Sequence, residues 1–437
     1  MESVLTYTND AICGTTEAKV KTTDKSNIKT IKHGEWEFEY NSKNNIFSSD
    51  IESFSENRFN NVSFDSTVKT YTSNKDDNKC LNEKDLEDFR RAALIHKIAR
   101  KKALSLLYTG AKLADLVDAV ESIILKMLKQ DPNTYYLKGS NNENSGIAFP
   151  VGVNINNVVA HDSKTNPING NADDRKFCKG DVVKVDIGVH INGRIIDSAF
   201  THIVTDKPGV HDKNNIYNSV LEASRESVFF AIKMAGPEQR LYEVSESIAE
   251  IIDSYEVILN NDSEGLPIKP IKGIGGHNIN QYQIHGGKLI LSEPDYETQG
   301  DERMKEDEVY AIETYASTGY GVMTQNTEMN RCTHFMEANH VDIENNKAIT
   351  KKDKKFFRQT DFFEWLQTRK GLPYSSTWLD NKSIPKLEKA IKMGVSSGQL
   401  ISYPPLFDEE NSVVAQFEHT IHVKNGSVEI FSLGEDY

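Results

Sequence analysis

The sequence predicts an α+β fold. Three observations carry this. Between residues 83 and 129 apolar side chains recur at helical spacing. Between residues 181 and 201 they alternate with period 2 about an Asn-Gly turn. Beyond that hairpin, helical and strand-like stretches follow in mixed succession, with no tandem repeat.

Residues 1–82 contain 31 Ser, Thr or Asn, and their larger apolar residues (Trp36, Phe38, Phe47, Phe54, Phe59, Phe64) follow no period of 2 or 3.6. Such a segment buries too little apolar surface to offset its ordering entropy, so a mostly disordered polar tail is expected. Asn-rich tracts at 41–45 and 140–144 are compositional bias. Asn82 is a suitable N-cap, with Asp85 three residues on, for a helix over 83–107. Leu86, Phe89, Ala93, Leu94 and Ile98 fall on one side of it. Gly110 punctuates. A second helix covers about 113–129 through Leu113, Leu116, Val117, Val120, Ile124, Met127 and Leu128, and Asp131-Pro132 ends it. After Gly146 short apolar alternations read as strands. Helices are expected at 214–235 and 241–255, and strands again from 273 to 323. A charged, aromatic insertion fills about 335–404, with helices at 353–370 and 384–396. Strands close the chain from Val413 to Phe431.

Length and charge bound the function. At 437 residues the chain is long enough for two or three domains. Its net charge is −14. The first 82 residues hold 10 basic and 13 acidic groups, so −3 belongs to them and −11 to the remainder. That balance argues against direct nucleic-acid binding, which needs a basic field. Cys13, Cys80, Cys178 and Cys332 are widely separated, which fits a reduced cytoplasmic chain better than a disulfide scaffold or a zinc ribbon. No secretory signal and no membrane-spanning apolar run are read.

The stretch Asp181–Thr201 carries the chemistry. Val183, Val185, Ile187 and Val189 share one strand face; Lys184, Asp186, Gly188 and His190 share the other. If Asn192-Gly193 forms a two-residue turn, Ile191 opposes Arg194 and Gly188 opposes Asp197. Asp186 and Asp197 then lie diagonally on one face, with Gly188 leaving space between them. Two like carboxylates repel unless something positive sits there. Either the pair is exposed on a half-solvated hairpin, or it belongs to a site for a hard divalent cation.

Five motifs in order now carry a resemblance: GIAFPVGVNINNVVAH (146–161), KVDIGVHINGRIIDSAF (184–200), GIGGHNINQYQIHGG (273–287), EVYAIETYASTG (308–319) and YPPL…AQFEHTI (403–421). With the closing GEDY, they resemble the type 2 methionine aminopeptidases across about residues 82–437. The resemblance implies a pita-bread fold with a pseudo-twofold sheet, covering helices and a helical insertion. It implies removal of initiator methionine from nascent chains whose second residue is small. It also implies two divalent cations (Mn, Co, Fe or Zn) held by Asp186, Asp197, His277, Glu313 and Glu418. In the family pattern Asp197 and Glu418 bridge both metals, Asp186 holds one, and His277 and Glu313 hold the other. His161 resembles the histidine beside the substrate that fumagillin-type epoxides alkylate. His285 resembles the second active-site histidine, which stabilises the tetrahedral intermediate. His334 resembles a third pocket histidine, although three extra residues separate it from Glu313. Phe149, Ile284, Tyr403 and Leu406 resemble the walls of the methionine pocket; without the family they would read as ordinary core.

The chemistry of the residues agrees. Four carboxylates and an imidazole suit such metals better than a thiolate site would. Two cations would offset the ligand charge, acidify a bound water, polarise the scissile carbonyl and anchor the substrate's free α-amine. The 105-residue gap from Glu313 to Glu418 leaves room for the insertion that type 1 enzymes lack. Prolidase-like and aminopeptidase P-like enzymes share the ligands but usually add an N-terminal domain, for which residues 1–82 are too short and polar. A pita-bread protein that binds RNA or the ribosome without catalysis would usually have lost ligands, and here all five positions are competent. Ribosome association is a further expectation, yet the polylysine and polyacidic blocks linked with it in animal relatives are absent from residues 1–82. The family suggests a monomer.

Overall fold

A computed structural model describes residues 28–33, 36–41, 81–130, 144–166, 172–258, 265–325, 331–338, 361–379 and 387–434. Within the first 82 residues, strands β1 (Ile28–His33) and β2 (Trp36–Asn41) pair antiparallel. This corrects the expectation that the tail has no period. Trp36, Phe38 and Tyr40 do alternate, but one short strand among so many polar residues gives little signal. The rest of residues 1–80 lies outside the described residues, as do Glu435–Tyr437 of the closing motif.

Helix α1 (Glu83–Leu104) starts at Asn82 with a reciprocal cap. Asp85 N–H donates to Asn82 Oδ1 at 3.1 Å, and Asn82 N–H donates to Asp85 Oδ2 at 3.2 Å. It ends three residues before the expected boundary. Helix α2 (Leu113–Gln130) follows. Both cover a sheet made of β3 (Ser145–Ile147), β4 (Gly152–Ile155), β6 (Val182–Ile191) and β7 (Arg194–Ile203), with β5 (Val158–Ala160) outside it. Strands β3 and β4 share one edge of β6, and β7 lies on the other. Val183, Val185, Ile187 and Val189 are fully buried, so the apolar face of the hairpin is core.

Helices α3 (Asn218–Met234) and α4 (Leu241–Asp253) cover a second sheet. It contains β8 (Gly275–Ile279), β9 (Leu289–Leu291) and β10 (Val309–Ser317). The insertion comes next, with β11 (His334–Glu337), α5 (Asp361–Thr368), α6 (Leu387–Ser396) and β12 (Leu400–Tyr403). Strands β13 (Val414–Lys424) and β14 (Ser427–Ile430) then complete the second sheet in the order β9-β8-β10-β13-β14. The expected helix at 353–370 is described only from Asp361, and that at 384–396 only from Leu387. The insertion is also not purely helical. Strand β11 pairs with β12 and with Tyr374–Ser375, around a separate core of Phe335, Phe362, Leu366, Tyr374, Leu387 and Ile391. Strands of two to four residues are too short to show period 2.

The two sheets meet where β7 runs beside β13, joined by side chains. Thr420 Oγ1 donates to Asp197 O at 2.6 Å and accepts from Asp197 N–H at 2.8 Å. Thr201 Oγ1 makes the same two bonds with the backbone of Gln416, and Ser198 Oγ donates to Glu418 O at 2.6 Å. Two half-sheets, each covered by a helix pair, make the pita-bread arrangement.

Candidate metal centre

The hairpin has the expected register. Ile191 opposes Arg194, Gly188 opposes Asp197 and Asp186 opposes Ala199. Asp186 and Asp197 therefore share a face. The space at Gly188 serves another purpose than the one expected. A Cβ there would lie 2.3 Å from Phe149 Cε1, so the missing side chain admits the Phe149 ring.

The second half-sheet brings the other three expected ligands to the same place. Glu313 opposes Glu418 directly, and His277 opposes Ala311, two residues from Glu313. Period 2 puts His277, Glu313 and Glu418 on one face. The hydroxyl seam draws Asp197 alongside Glu418. Ligand atoms of Asp197, His277 and Glu418 all lie within 4.8 Å of one another. His277 Nε2 is 3.6 Å from Asp197 Oδ2 and 3.9 Å from Glu313 Oε1. Gln416 links the remaining pair, donating to Asp186 Oδ2 at 3.4 Å and Glu313 Oε2 at 3.2 Å. The Tyr315 hydroxyl bonds Glu313. Sequence reasoning missed Gln416 and Tyr315. Each stands two residues from a ligand, on the same face of its strand, which was the available signal.

The electrostatics fit a cation. Burial pushes the Asp186 carboxyl up to about 6. Burial and then Asp186 push Glu313 up to about 8. Asp197 and Glu418 stand well above the carboxylate range through burial and then their neighbours' charge. Burial, then His285, keeps His277 neutral, the form that ligates metal. Asp186 Oδ1 is buried with no hydrogen-bond partner among the described residues. Four crowded carboxylates and a neutral imidazole are a donor set for a divalent cation, whose charge relieves their repulsion.

The other expected site residues fall into three groups. The His161 ring is 5.6 Å from that of Tyr403 and 5.8 Å from that of His334. His161 takes a left-handed backbone (φ 68°). Burial and His285 hold it down at about 4, and burial and His161 hold His334 at about 3. The structure thus brings His334 beside His161 despite its altered spacing. His334 Nε2–H donates to Pro150 O at 3.3 Å, and Nδ1 accepts from Thr333 Oγ1 at 2.9 Å. His285, on the exposed rim, lies edge-on to His277 with ring centres 4.2 Å apart. Ile284 is buried in the main core, and Phe149, half-buried, packs against it. Leu406 instead joins a separate cluster with Val159, Ala160 and Tyr315.

The model of metallopeptidase family M24 matches residues 87–351. The chain belongs to that family. The methionine aminopeptidase 2 of Laccaria bicolor is 34% identical over 388 residues, covering 88% of this chain and 95% of its own. That of Schizosaccharomyces pombe is 35% identical over 351 residues, covering 80% and 73%. Within the family, the chain groups with the type 2 methionine aminopeptidases. Among solved structures, a thermophilic Arx1 superposes with a TM-score of 0.61 at 17% identity, covering 79% of this chain and 89% of that one. That likeness shows the fold alone.

Proposed function

We propose that this protein is a metal-dependent methionyl aminopeptidase that removes initiator methionine from nascent proteins whose second residue is small. The observation that carries the proposal is the convergence of Asp186, Asp197, His277, Glu313 and Glu418 on one buried face between two half-sheets. These five would hold two divalent cations, of Mn, Co, Fe or Zn, with Asp197 and Glu418 shared between them. Bound there, the cations supply Lewis acidity toward the scissile carbonyl and toward water.

The protein's own groups do the rest. Gln416 and Tyr315 hold Asp186 and Glu313 in place. His161, held down at about 4, is neutral at pH 7, gives its N–H to the Pro404 carbonyl and meets the substrate without charge. His285, edge-on to His277, would stabilise the tetrahedral intermediate. Phe149, Ile284 and Tyr403 would line an apolar pocket suited to an unbranched thioether, beside His161 and His334, with Leu406 in the neighbouring cluster at its border. The enzyme works as a cytoplasmic monomer with transient access to the ribosome. Among the described residues no helix is long and apolar enough to cross a membrane.

Asp197→Ala and Glu418→Ala test the ligand assignment. Each removes a shared ligand and leaves the other acids underneutralised, so methionine release and bound metal are both lost. Retention of more than roughly a tenth of the wild-type kcat in either variant would contradict it.

A further inference from the structure

One junction ties the insertion to two separate segments of the pocket. The turn after α5 presents Arg369 and Lys370 in succession. Arg369 Nη2 donates to the carbonyls of Ile147 at 2.8 Å and Ala148 at 3.2 Å, immediately before Phe149. The same nitrogen closes its own turn on Pro373 O at 2.7 Å. Its guanidinium lies 5.0 Å over the Trp378 ring, and the Trp378 indole N–H donates to Glu121 of α2 at 2.8 Å. Arg369 is therefore oriented from both sides.

Lys370 reaches the opposite wall. Its Nζ sits 4.4 Å over the Tyr282 ring and donates to the Tyr282 hydroxyl at 3.1 Å and to Asn144 Oδ1 at 2.5 Å. Tyr282 stands two residues before Ile284 and three before His285. It is pinned to the tip of the β6–β7 hairpin, its N–H donating to Gly193 O at 2.9 Å. A Cβ on Gly193 would lie 2.4 Å from the Tyr282 ring, so the ring rests directly on that turn. Its hydroxyl donates to Asn144 O at 3.0 Å. Two consecutive cationic residues thus hold the Phe149 segment with one hand and the Ile284–His285 loop with the other. Neither is a metal ligand.

We infer that the Arg369–Lys370 turn is a staple that fixes the spacing of the two pocket walls and thereby sets which N-terminal side chains are admitted. The inference rests on the aminopeptidase reading above. Arg369 and Lys370 are positioning residues that act through the pocket walls Phe149 and Ile284. The two attachments act on one spacing, beside the direct bond from the Tyr282 hydroxyl to Asn144 O, so each release loosens the same walls and the two effects overlap.

The test uses the full chain loaded with Mn or Co, as Arg369→Met, Lys370→Met and the double variant. KM for methionyl peptides rises about fivefold to tenfold while kcat stays within about twofold, the mark of lost ground-state positioning. Preference for N-terminal methionine over phenylalanine and isoleucine weakens. The double variant falls short of the two singles combined, and Lys370→Arg restores wild-type values. Hydrogen exchange quickens at both 146–149 and 281–287 in each Met variant. Unchanged KM and selectivity, with only thermal stability lowered, would reduce the turn to scaffolding and overturn the proposal. So would strictly additive effects, or wild-type exchange at either wall. Should the Met variants fail to fold, Arg369→Lys and Lys370→Gln are read by the same criteria. A wild-type chain inert toward every methionyl peptide would overturn the aminopeptidase reading and the selectivity claim with it, while exchange still reads the staple.

Discussion

His161 combines a left-handed backbone, rare outside glycine, with an imidazole kept neutral by burial. Attack on an epoxide needs the unprotonated ring. A fumagillin-type epoxide is therefore expected to label His161 at a rate that stays flat from about pH 6 to 8, well above its protonation near 4. His161→Ala abolishes the adduct, and mass spectrometry that finds persistent labelling at another residue would refute the assignment. At this scale the five residues that converge between the half-sheets could be picked out, because Asp, Glu and His in quoted motifs have few other uses together. Gln416 and Tyr315 were not. A glutamine and a tyrosine on a strand carry no chemical flag until their contacts with Asp186 and Glu313 are seen. Gly188 was noticed for the wrong reason, since sequence gives an absent side chain but not the ring that takes its place.

Among the elements, the β6–β7 hairpin could be read to the register because its two-residue turn leaves no freedom in the pairing. The α1 start was equally clear from the Asn82–Asp85 pair. The small sheet of the insertion was hidden, because its strands are two to four residues long and lie among aromatic helices. The seam between β7 and β13 was also hidden, since it is made by hydroxyls rather than by apolar pattern. Thr420 alone satisfies both the N–H and the C=O of Asp197 there. Thr420→Val keeps the shape, removes the hydroxyl and leaves two buried backbone groups unpaired. The expected cost is about 1–3 kcal/mol, read as a lower denaturant midpoint with an unchanged slope. A shift indistinguishable from zero would mean that the seam is held elsewhere.

For the whole molecule, charge and metal are linked. The net −14 includes four acids gathered in one cleft. Their folded pKa values lie above the unfolded ones, with Asp186 at about 6 and Glu313 at about 8. Through these acids the native state binds more protons than the unfolded chain, so their contribution to stability falls as pH rises through this range. Buried neutral histidines such as His161 and His334, held at about 4 and about 3, act the other way below about pH 6.5. Chelator-treated protein is accordingly expected to lose thermal stability between about pH 6.5 and 8, and saturating Mn or Co to flatten that slope. A chelated protein whose melting temperature rises across the same interval would contradict the crowding of acids.

The placing of β13 has a consequence for the protein's own synthesis. This strand, near the end of the chain, lies between β10 and β14 and alongside β7, at the centre of the molecule. Asp186 and Asp197 leave the ribosome more than two hundred residues before Glu418 does. Until β13 arrives, Glu418 is missing from the cleft and the second half-sheet lacks the strand that joins it to β7. Assembly of the ligand set is therefore a late event in folding, one that waits for β13 to join β10 and β7.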